Sequence, residues 1–252
     1  MDFTGRKVLV TGGTRGIGLA CAKGFAERGA TLALAYRSDH DAADAALAAL
    51  AGEGHLTFAT DLADEASAEA LISQAVQGLG GLDILVNNAG IFEAQPIDSV
   101  EFDDWQKSWQ HTLAVNLLAP AHLSYHAAQH MIERGWGRIV NVSSRGAFRG
   151  EPESPAYGAS KAGLNAMSQS LAQKLAPHNI FVGAVAPGFV ETDMTNEHLK
   201  NERGAAIRAQ SPLNRVAKPE EVAYAVLFLA SHGAEFSTGA IIDVNGASYL
   251  RS

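Results

Sequence analysis

The sequence is poor in cysteine, lacks long apolar runs and carries no surplus of basic residues. Cys21 is the single cysteine, which excludes an internal disulfide and favours a reducing compartment. The longest apolar run, residues 222–230, is too short to span a bilayer. The net charge of −8 disfavours a nucleic acid or an anionic membrane as partner, because both attract lysine and arginine. Since no signal-peptide pattern precedes the first apolar segment, we expect a cytoplasmic protein.

Short apolar runs alternate with helical patterns along the chain. The runs predict strands at residues 7–11, 31–36, 55–60, 82–87, 138–142, 180–186 and 240–244. Helical patterns between them cover residues 40–51, 65–79, one long stretch over 101–133 with Ser99 as its N-cap, and a stretch from Pro219. Such alternation with short connections predicts an α/β fold, a doubly wound parallel sheet. No repeat or linker is visible, so we interpret residues 1–252 as one domain.

A glycine-rich turn follows the first predicted strand and leads into a helix. Its spacing is Gly-x3-Gly-x-Gly, from Gly12 to Gly18. Glycine permits positive φ and close backbone approach, and the start of a helix offers free N–H groups to a phosphate. The turn therefore predicts a pyrophosphate site that uses Gly12, Thr14, Arg15, Gly16, Ile17 and Gly18.

The end of the second strand carries the signal for cofactor choice. There an acidic side chain binds a ribose 2′-hydroxyl, whereas a basic one accommodates a 2′-phosphate. Arg37 follows this strand directly and Arg15 lies in the glycine turn, which predicts NADP(H). Asp39 is the competing residue, and it would favour NAD(H) instead. Asp61 and Leu62, after the third strand, are expected to meet the adenine ring.

Tyr157 and Lys161 are four residues apart in a segment that reads as the start of a helix. This spacing places both side chains on one helix face. A nearby ammonium group favours the phenolate and is expected to lower the tyrosine pKa. Such a pair can exchange a proton with an alcohol or a carbonyl oxygen.

Further polar residues lie outside these two motifs. Asn116 lies within an apolar helical run, where a buried amide needs hydrogen-bond partners. His122, His126 and His130 share one helix face, but no carboxylate or cysteine completes a ligand set, so we predict no metal site. The segment 145–154 reads as a polar loop, and 196–211 as a polar helix and a candidate lid.

These motifs occur in an order that resembles the short-chain dehydrogenase/reductase superfamily. They are the glycine turn, Asn87-Asn88-Ala89-Gly90, Asn116, Ser144, Tyr157-x3-Lys161 and Pro187-Gly188 with Thr192. The resemblance implies a three-layer Rossmann domain with seven parallel strands, often assembled as a homotetramer. It also implies a catalytic tetrad of Asn116, Ser144, Tyr157 and Lys161. Further cofactor contacts are implied at Asn88, Ala89, Gly90, Tyr157, Lys161, Pro187, Gly188, Val190 and Thr192.

The family's roles map onto this chain residue by residue. Ser144, thirteen residues before Tyr157, would polarise the substrate oxygen, and Tyr157 would act as the acid–base. Lys161 would lower the tyrosine pKa and hold the nicotinamide ribose, while Asn116 would anchor a water relay to the lysine. Thr192 would contact the carboxamide.

Residues 185–195 resemble most closely the 3-oxoacyl-[acyl-carrier-protein] reductases, so the resemblance implies NADP(H)-dependent interconversion of a ketone and a secondary alcohol. The chain departs from those reductases at Ser154, where they often have glutamine, and in having little positive charge near residues 133–136 and 176–179. A free ketone or alcohol substrate is therefore a serious alternative. An NAD-dependent alcohol, sugar or polyol dehydrogenase and a catalytically silent NADP-sensing protein are the others.

Overall fold

The computed structural model describes residues 1–192, 195 and 202–251. Seven parallel strands form one sheet in the order β3-β2-β1-β4-β5-β6-β7. The strands are β1 Lys7–Thr11, β2 Thr31–Tyr36, β3 Leu56–Ala59, β4 Ile84–Asn87, β5 Gly137–Val142, β6 Ile180–Pro187 and β7 Ile241–Val244. The predicted α/β fold with a seven-stranded parallel sheet is confirmed.

Helices connect the strands. Among the described residues they are α1 Gly16–Ala26, α2 His40–Ala48, α3 Ser67–Leu79, α4 Phe102–Leu113, α5 Ala119–Arg134, α6 Gly146–Arg149, α7 Pro155–Leu175, α8 Glu202–Arg208 and α9 Pro219–Ala230. Single 3₁₀ turns cover Ala176–His178 and Glu235–Ser237. No helix in this part of the chain is both long enough and apolar enough to cross a membrane.

Both faces of the sheet are buried, which explains the near-continuous apolar runs of the strands. Because side chains alternate along a strand, Val8 and Val10 of β1 pack into one core cluster and Leu9 packs into the other. The first cluster includes apolar side chains of α1 and α9, and the second includes those of α3, α5 and α7. Cys21 is buried in the first cluster as a free thiol.

The strand order reverses between β1 and β4, because the chain builds outward to β3 and then returns to the other side of β1. Ligands of doubly wound sheets bind at such a reversal, outside the carboxyl ends of the strands. In this chain those ends lead into the glycine turn and into the segment that starts at Asn88. The fold thus brings together two of the motifs that the sequence singles out.

The predicted long helix over residues 101–133 is interrupted. Helix α4 ends at Leu113, a π-helical segment spans Ala114–Leu118, and α5 follows directly. The prediction of Ser99 as the N-cap is wrong, because α4 starts at Phe102 with the extended Glu101 as its N-cap and without a capping side chain. Instead, acidic residues in the first turn interact favourably with the positive end of the helix dipole.

Two further segments differ from the sequence-based expectation. The predicted polar loop 145–154 contains a single helical turn, α6, which the Gly150 N–H closes by donating to the Gly146 carbonyl at 3.1 Å. Residues 196–201 of the candidate lid lie outside the described residues. Its remainder contains helix α8.

Candidate active site

The glycine turn between β1 and α1 is folded as a phosphate cradle requires. Gly12 has a φ of +61°, and a side chain at Gly18 would overlap the Gly12 carbonyl oxygen and the Asn88 amide. No side chain caps the start of α1 at Arg15. The first N–H groups of a helix lack partners within the helix, so here they are open to an anion. The residues present therefore fit a dinucleotide pyrophosphate.

Asn88 holds this turn in place. Its side-chain amide donates to the carbonyls of Thr11 and Gly12 at 2.8 and 3.1 Å. In return, the Thr11 hydroxyl accepts the backbone N–H groups of Asn88 and Ala89, both at 3.0 Å. Both N–H donors of the Asn88 side chain are thus used inside the protein. Its side chain shapes the cradle, and a direct cofactor contact stays a prediction.

The corner predicted to bind the adenosine ribose contains two exposed arginines, Arg15 and Arg37. Within the described residues neither forms an ion pair. Asp39, the competing residue, is the N-cap of α2, and its carboxylate accepts the Ala42 N–H at 3.0 Å. The Asp61 carboxylate similarly accepts the Ala63 N–H at 3.0 Å. The carboxylate of Asp39 is therefore engaged by its own helix, whereas the arginines remain available.

The four predicted catalytic residues come from three parts of the fold. Tyr157 and Lys161 lie on α7, Ser144 follows β5, and Asn116 lies in the π-helical segment. A side chain built at Gly90 would come within 3.3 Å of Asn116 Oδ1 and 3.4 Å of Lys161 Nζ. Gly90 therefore lets the end of β4 approach this group, and the structure brings the tetrad together.

Ser144, not Ser143, faces Tyr157. The Ser144 hydroxyl stabilises the ionised form of Tyr157 by hydrogen bonding, and its oxygen accepts the Gly146 N–H at 3.0 Å. Ser143 is buried, and its hydroxyl donates to the Lys161 carbonyl at 3.3 Å. The choice of Ser144 from its thirteen-residue distance to Tyr157 agrees with this geometry.

Asn116 is fully buried, and its amide finds the partners that the sequence analysis requires. Its Oδ1 accepts the Ile91 N–H at 2.9 Å, and its Nδ2 donates to the Ile91 carbonyl at 2.9 Å and to Ser160 Oγ at 3.3 Å. The π-helical segment places this side chain between the end of β4 and helix α7. Its predicted role in a water relay to Lys161 stays a prediction.

The electrostatics differ from the expectation for the tyrosine–lysine pair. The surrounding protein raises the pKa of Tyr157, because removal from solvent and the Glu151 carboxylate both disfavour the phenolate and outweigh Ser144. Burial also lowers the pKa of Lys161 to about 8. Lys161 Nζ donates to the Val142 carbonyl at 2.9 Å and lies 5.8 Å from the centre of the Tyr157 ring. The Tyr157 pKa is therefore raised, contrary to the sequence-based expectation that it is lowered.

The loop after β6 covers the other side of the cradle. The Gly188 N–H donates to the Val244 carbonyl at 3.0 Å, and Val190 forms an isolated parallel bridge with Ala217. A side chain at Gly16 would come within 3.2 Å of the Thr192 methyl group. Thr192 therefore lies directly over the glycine turn, as a residue that contacts the cofactor should.

The three-histidine face has other uses in the structure. His130 Nε2 accepts the Leu82 N–H at 3.2 Å, and burial lowers the His130 pKa. The ring of His126 packs edge-on against Tyr125. In the described part of the chain, no three histidine, cysteine or acidic residues are close enough together to hold a metal ion.

Three residues that lie beside Tyr157 or directly after Ser144 were not singled out from the sequence. Phe92 packs edge-on against its ring at a centroid distance of 5.1 Å. The Glu151 carboxylate raises the pKa of the phenol. Arg145, directly after Ser144, is almost fully buried. Arg145 could have been found from the sequence, because it is a charged residue directly after the predicted catalytic Ser144. Nothing in the sequence indicated a role for Phe92.

Known proteins resemble this chain over nearly its full length. A family model described as enoyl-(acyl carrier protein) reductase matches residues 12–247. A 3-oxoacyl-[acyl-carrier-protein] reductase FabG from Aquifex aeolicus is 40% identical and covers 99% of each chain. A cis-4-hydroxycyclohexanecarboxylate dehydrogenase from Sinomonas cyclohexanicum is 39% identical, over 97% of this chain and 96% of that protein. A short chain dehydrogenase from Burkholderia cenocepacia, solved in complex with NADP, is 33% identical with a TM-score of 0.87, over 98% of this chain and 99% of that one.

Proposed function

The chain belongs to the short-chain dehydrogenase/reductase family, and we propose that it is an NADP(H)-dependent oxidoreductase that interconverts a ketone and a secondary alcohol, with Tyr157 as the acid–base. The observation that carries this proposal is the Ser144 hydroxyl facing Tyr157 beside the buried Lys161. This arrangement supplies a proton donor and a second hydroxyl at one point. When the carbonyl carbon of a ketone accepts a hydride, negative charge develops on its oxygen, and both hydroxyl groups can stabilise or protonate that oxygen.

NADP(H), when bound, supplies or accepts the hydride, and the protein positions the reactants and handles the proton. The glycine turn and the start of α1 would hold the pyrophosphate, and Thr192 lies beside this turn. Ser144 Oγ, whose oxygen already accepts the Gly146 N–H, directs its own proton outward to Tyr157 or to the substrate oxygen. In the reduction, Tyr157 Oη gives its proton to the developing alkoxide.

The protonated state of Tyr157 at neutral pH fits the direction of reduction, because a phenol has a pKa of about 10 and burial raises the Tyr157 pKa further. A phenol that holds its proton at neutral pH is ready to donate it, whereas the oxidation of an alcohol requires the phenolate. Lys161, with a pKa of about 8, is mainly cationic at neutral pH. Its positive charge then stabilises the phenolate that Tyr157 becomes after it gives up its proton.

NADP(H) is proposed over NAD(H) on three observations. Arg15 and Arg37 are exposed, and neither forms an ion pair within the described residues. The Asp39 carboxylate is engaged in capping α2. In addition, the related protein from Burkholderia cenocepacia was solved in complex with NADP.

Two substrate classes are supported. The FabG relatives act on 3-oxoacyl groups held by a carrier protein, and the Sinomonas relative, at nearly the same identity, acts on a free hydroxy acid. We propose a free carbonyl compound as the primary substrate, because Ser154 and the scarcity of positive charge near residues 133–136 and 176–179 depart from the carrier-dependent reductases. 3-Oxoacyl thioesters are the second class.

We further propose that residues 1–252 form one domain that assembles as a homotetramer in the cytoplasm. Exposed apolar side chains on the helices support self-association. Leu118 directly precedes α5, Tyr125 lies on α5, and Tyr224 and Phe228 lie on α9. Light scattering of the purified protein tests the assembly, since a tetramer has four times the mass of the 26.5 kDa chain.

A substrate panel tests the proposed function. Ketones, 3-oxoacyl thioesters and secondary alcohols are each assayed with both reduced and both oxidised nicotinamide cofactors, by the absorbance of the reduced form. We expect ketone reduction with NADPH, and slower reduction with NADH. Tight NADPH binding without turnover of any compound would instead favour a cofactor-sensing protein.

A further inference from the structure

Arg145 is a buried cation beside the proposed catalytic serine. Its side chain is only 3% exposed, and its backbone N–H donates to the Pro187 carbonyl at 2.9 Å. One guanidinium nitrogen donates to Ser248 Oγ at 2.5 Å and another donates to Gln210 Oε1 at 2.6 Å. The residue thus links the end of β5 to the end of β6, to the segment after α8 and to the C-terminal segment.

The charge of Arg145 is only partly balanced by the protein: the Glu151 carboxylate opposes the lowering of the Arg145 pKa by burial, and the guanidinium carbon lies 5.0 Å from the centre of the Phe189 ring. Both of its side-chain acceptors are neutral, and within the described residues no carboxylate forms an ion pair with it. The nearby Glu151 is paired with Arg149 at 3.8 Å. Burial lowers the Arg145 pKa, but an arginine keeps its charge in proteins. A buried charge is costly unless it is paired, so this position favours an anion.

The guanidinium also has donors to spare. It carries five N–H groups in a planar fork, of which the hydrogen bonds to Ser248 and Gln210 use two. The free donors of such a fork match the two oxygens of a carboxylate. A carboxylate group can therefore bind without breaking the contacts that hold Arg145 in place.

A cavity of about 260 Å³ lies against Arg145. Its lining includes the apolar Phe189 and Leu213 and the polar Ser211, Asn245 and Ser248. Ser248 of this lining lies beside the predicted cofactor residue Gly188, because a side chain built at Gly188 would come within 3.3 Å of Ser248 Oγ. Arg145 itself follows Ser144 directly in the chain, and the cavity is large enough for a small organic acid.

Other charged side chains of the cavity lining are already paired. Arg215 forms two hydrogen bonds with the Glu221 carboxylate, at 2.7 and 2.6 Å. The Asp243 carboxylate accepts from Arg251 Nε at 2.7 Å. Among the described residues of this lining, Arg145 is therefore the cation that remains for a ligand.

We propose that Arg145 binds a carboxylate group of the substrate, so that the enzyme acts on oxo acids and the corresponding hydroxy acids. This inference rests on the proposed function and narrows its substrate class. Ser144 and Tyr157 bind the reacting oxygen, and Arg145 holds the acid group at the far end of the molecule. The length of chain between the two groups then becomes a determinant of specificity.

Direct binding tests the carboxylate site without any turnover. Hexanoate and hexanamide have similar shapes and differ in charge, and both are titrated calorimetrically into wild type, Arg145→Gln and Arg215→Gln. We expect wild type to bind hexanoate about ten- to a hundredfold more tightly than hexanamide. Arg145→Gln should lose this preference. Arg215→Gln, which removes a cavity arginine that is already paired, should keep it.

Kinetics then test the substrate class. Oxo acids from 3-oxobutanoate to 6-oxoheptanoate are compared with their methyl esters by kcat/KM with NADPH. We expect an acid preference of at least about tenfold at one chain length, and its loss in Arg145→Gln while the ester rate is retained. NADPH binding by the variant, measured from cofactor fluorescence, confirms that it is folded.

Two results would overturn the inference: equal binding of hexanoate and hexanamide by wild type, or a preference that survives in Arg145→Gln. If Arg145→Gln lowers acid and ester rates equally, the residue only ties the surrounding segments together and the inference also fails. The absence of any NADPH-dependent reduction contradicts the proposed function instead. In that case the binding titration still decides whether Arg145 holds a carboxylate.

Discussion

Replacing Arg37 with aspartate should change the cofactor preference from NADPH toward NADH. In the structure Arg37 is exposed and has no ion-pair partner among the described residues, so the substitution removes no interaction that stabilises the fold. Its effect on the free energy of unfolding should stay within about 0.5 kcal/mol, as for other surface positions. The change in binding therefore reports on the cofactor alone.

The magnitude follows from the chemistry of the 2′-phosphate. A hydrogen bond to a charged group contributes about 1.5–3 kcal/mol, and each 1.4 kcal/mol is tenfold in affinity. Arg37→Gln should thus weaken NADPH about ten- to a hundredfold and leave NADH nearly unchanged. Arg37→Asp should weaken NADPH further, because its carboxylate repels the phosphate, and should offer an acceptor to the 2′-hydroxyl of NADH.

The assay is fluorescence titration of each variant with NADPH and NADH, and Asp39→Asn is the decisive control. Asparagine caps helices as well as aspartate, so this variant keeps the start of α2 while it removes the carboxylate. We expect Asp39→Asn to bind both cofactors like wild type. The reasoning is refuted if wild type binds NADH as tightly as NADPH, if Arg37→Asp leaves their ratio unchanged, or if Asp39→Asn loses NADH.

Three further predictions concern Lys161, the glycine turn and substrate delivery. Folding lowers the Lys161 pKa from 10.5 to about 8, so the unfolded chain binds more protons between these two pH values. The free energy of unfolding should therefore rise with pH in this range, by about 3 kcal/mol more in wild type than in Lys161→Met. Urea unfolding at pH 7.5 and at pH 10.5 measures this difference. An equal pH dependence in both proteins would contradict this. Gly18→Ala should cost about 1–3 kcal/mol and abolish NADPH binding, because its methyl group overlaps the Gly12 carbonyl oxygen. Gly24→Ala in the same helix should cost less, because its methyl group would meet only side-chain atoms, of Leu227 at 3.0 Å and of Arg28 at 3.8 Å; equal losses in the two would refute the assignment. A carrier-linked 3-oxoacyl group should be reduced no faster, by kcat/KM, than a short free thioester of the same acyl chain, because Arg134 lies near Asp83 and Arg138 is buried against Glu235; a large preference for the carrier-linked form would restore the carrier-dependent function.

The sheet could be predicted from the sequence because strands buried on both faces leave continuous apolar runs, and all seven predicted strands overlap those observed. The start of α4 was predicted wrongly. Ser99 resembles an N-cap by residue type, yet α4 starts later without any capping side chain. The π-helical segment around Asn116 left no mark beyond a polar residue in an apolar run, and the hydrogen-bond partners of Asn116, Ile91 and Ser160, are distant in sequence.

The candidate site shows the same division. The positions of the glycine turn and of the Tyr157–Lys161 pair could be predicted because their spacing is local, whereas Ser144 and Asn116 were chosen from the family resemblance. The raised pKa of Tyr157 could not be predicted, because it depends on desolvation by the folded protein and on Glu151. The neutral surroundings of Arg145 likewise come from Gln210 and Ser248, far along the chain. The sequence thus predicted which groups lie together, and tertiary contacts determine their charge states.

Turnover of Tyr157→Phe tests the central claim most directly. The substitution removes one hydroxyl group and leaves the ring that packs against Phe92. Ketone reduction is measured with saturating NADPH, and cofactor binding is measured separately by fluorescence; Tyr125→Phe, which removes an exposed hydroxyl on α5, is the matched control. We expect the kcat of Tyr157→Phe to be about 10²–10⁴-fold lower than that of wild type, while the variant still binds NADPH. The control should keep the kcat of wild type. Near-normal turnover by Tyr157→Phe would contradict its assignment as the acid–base.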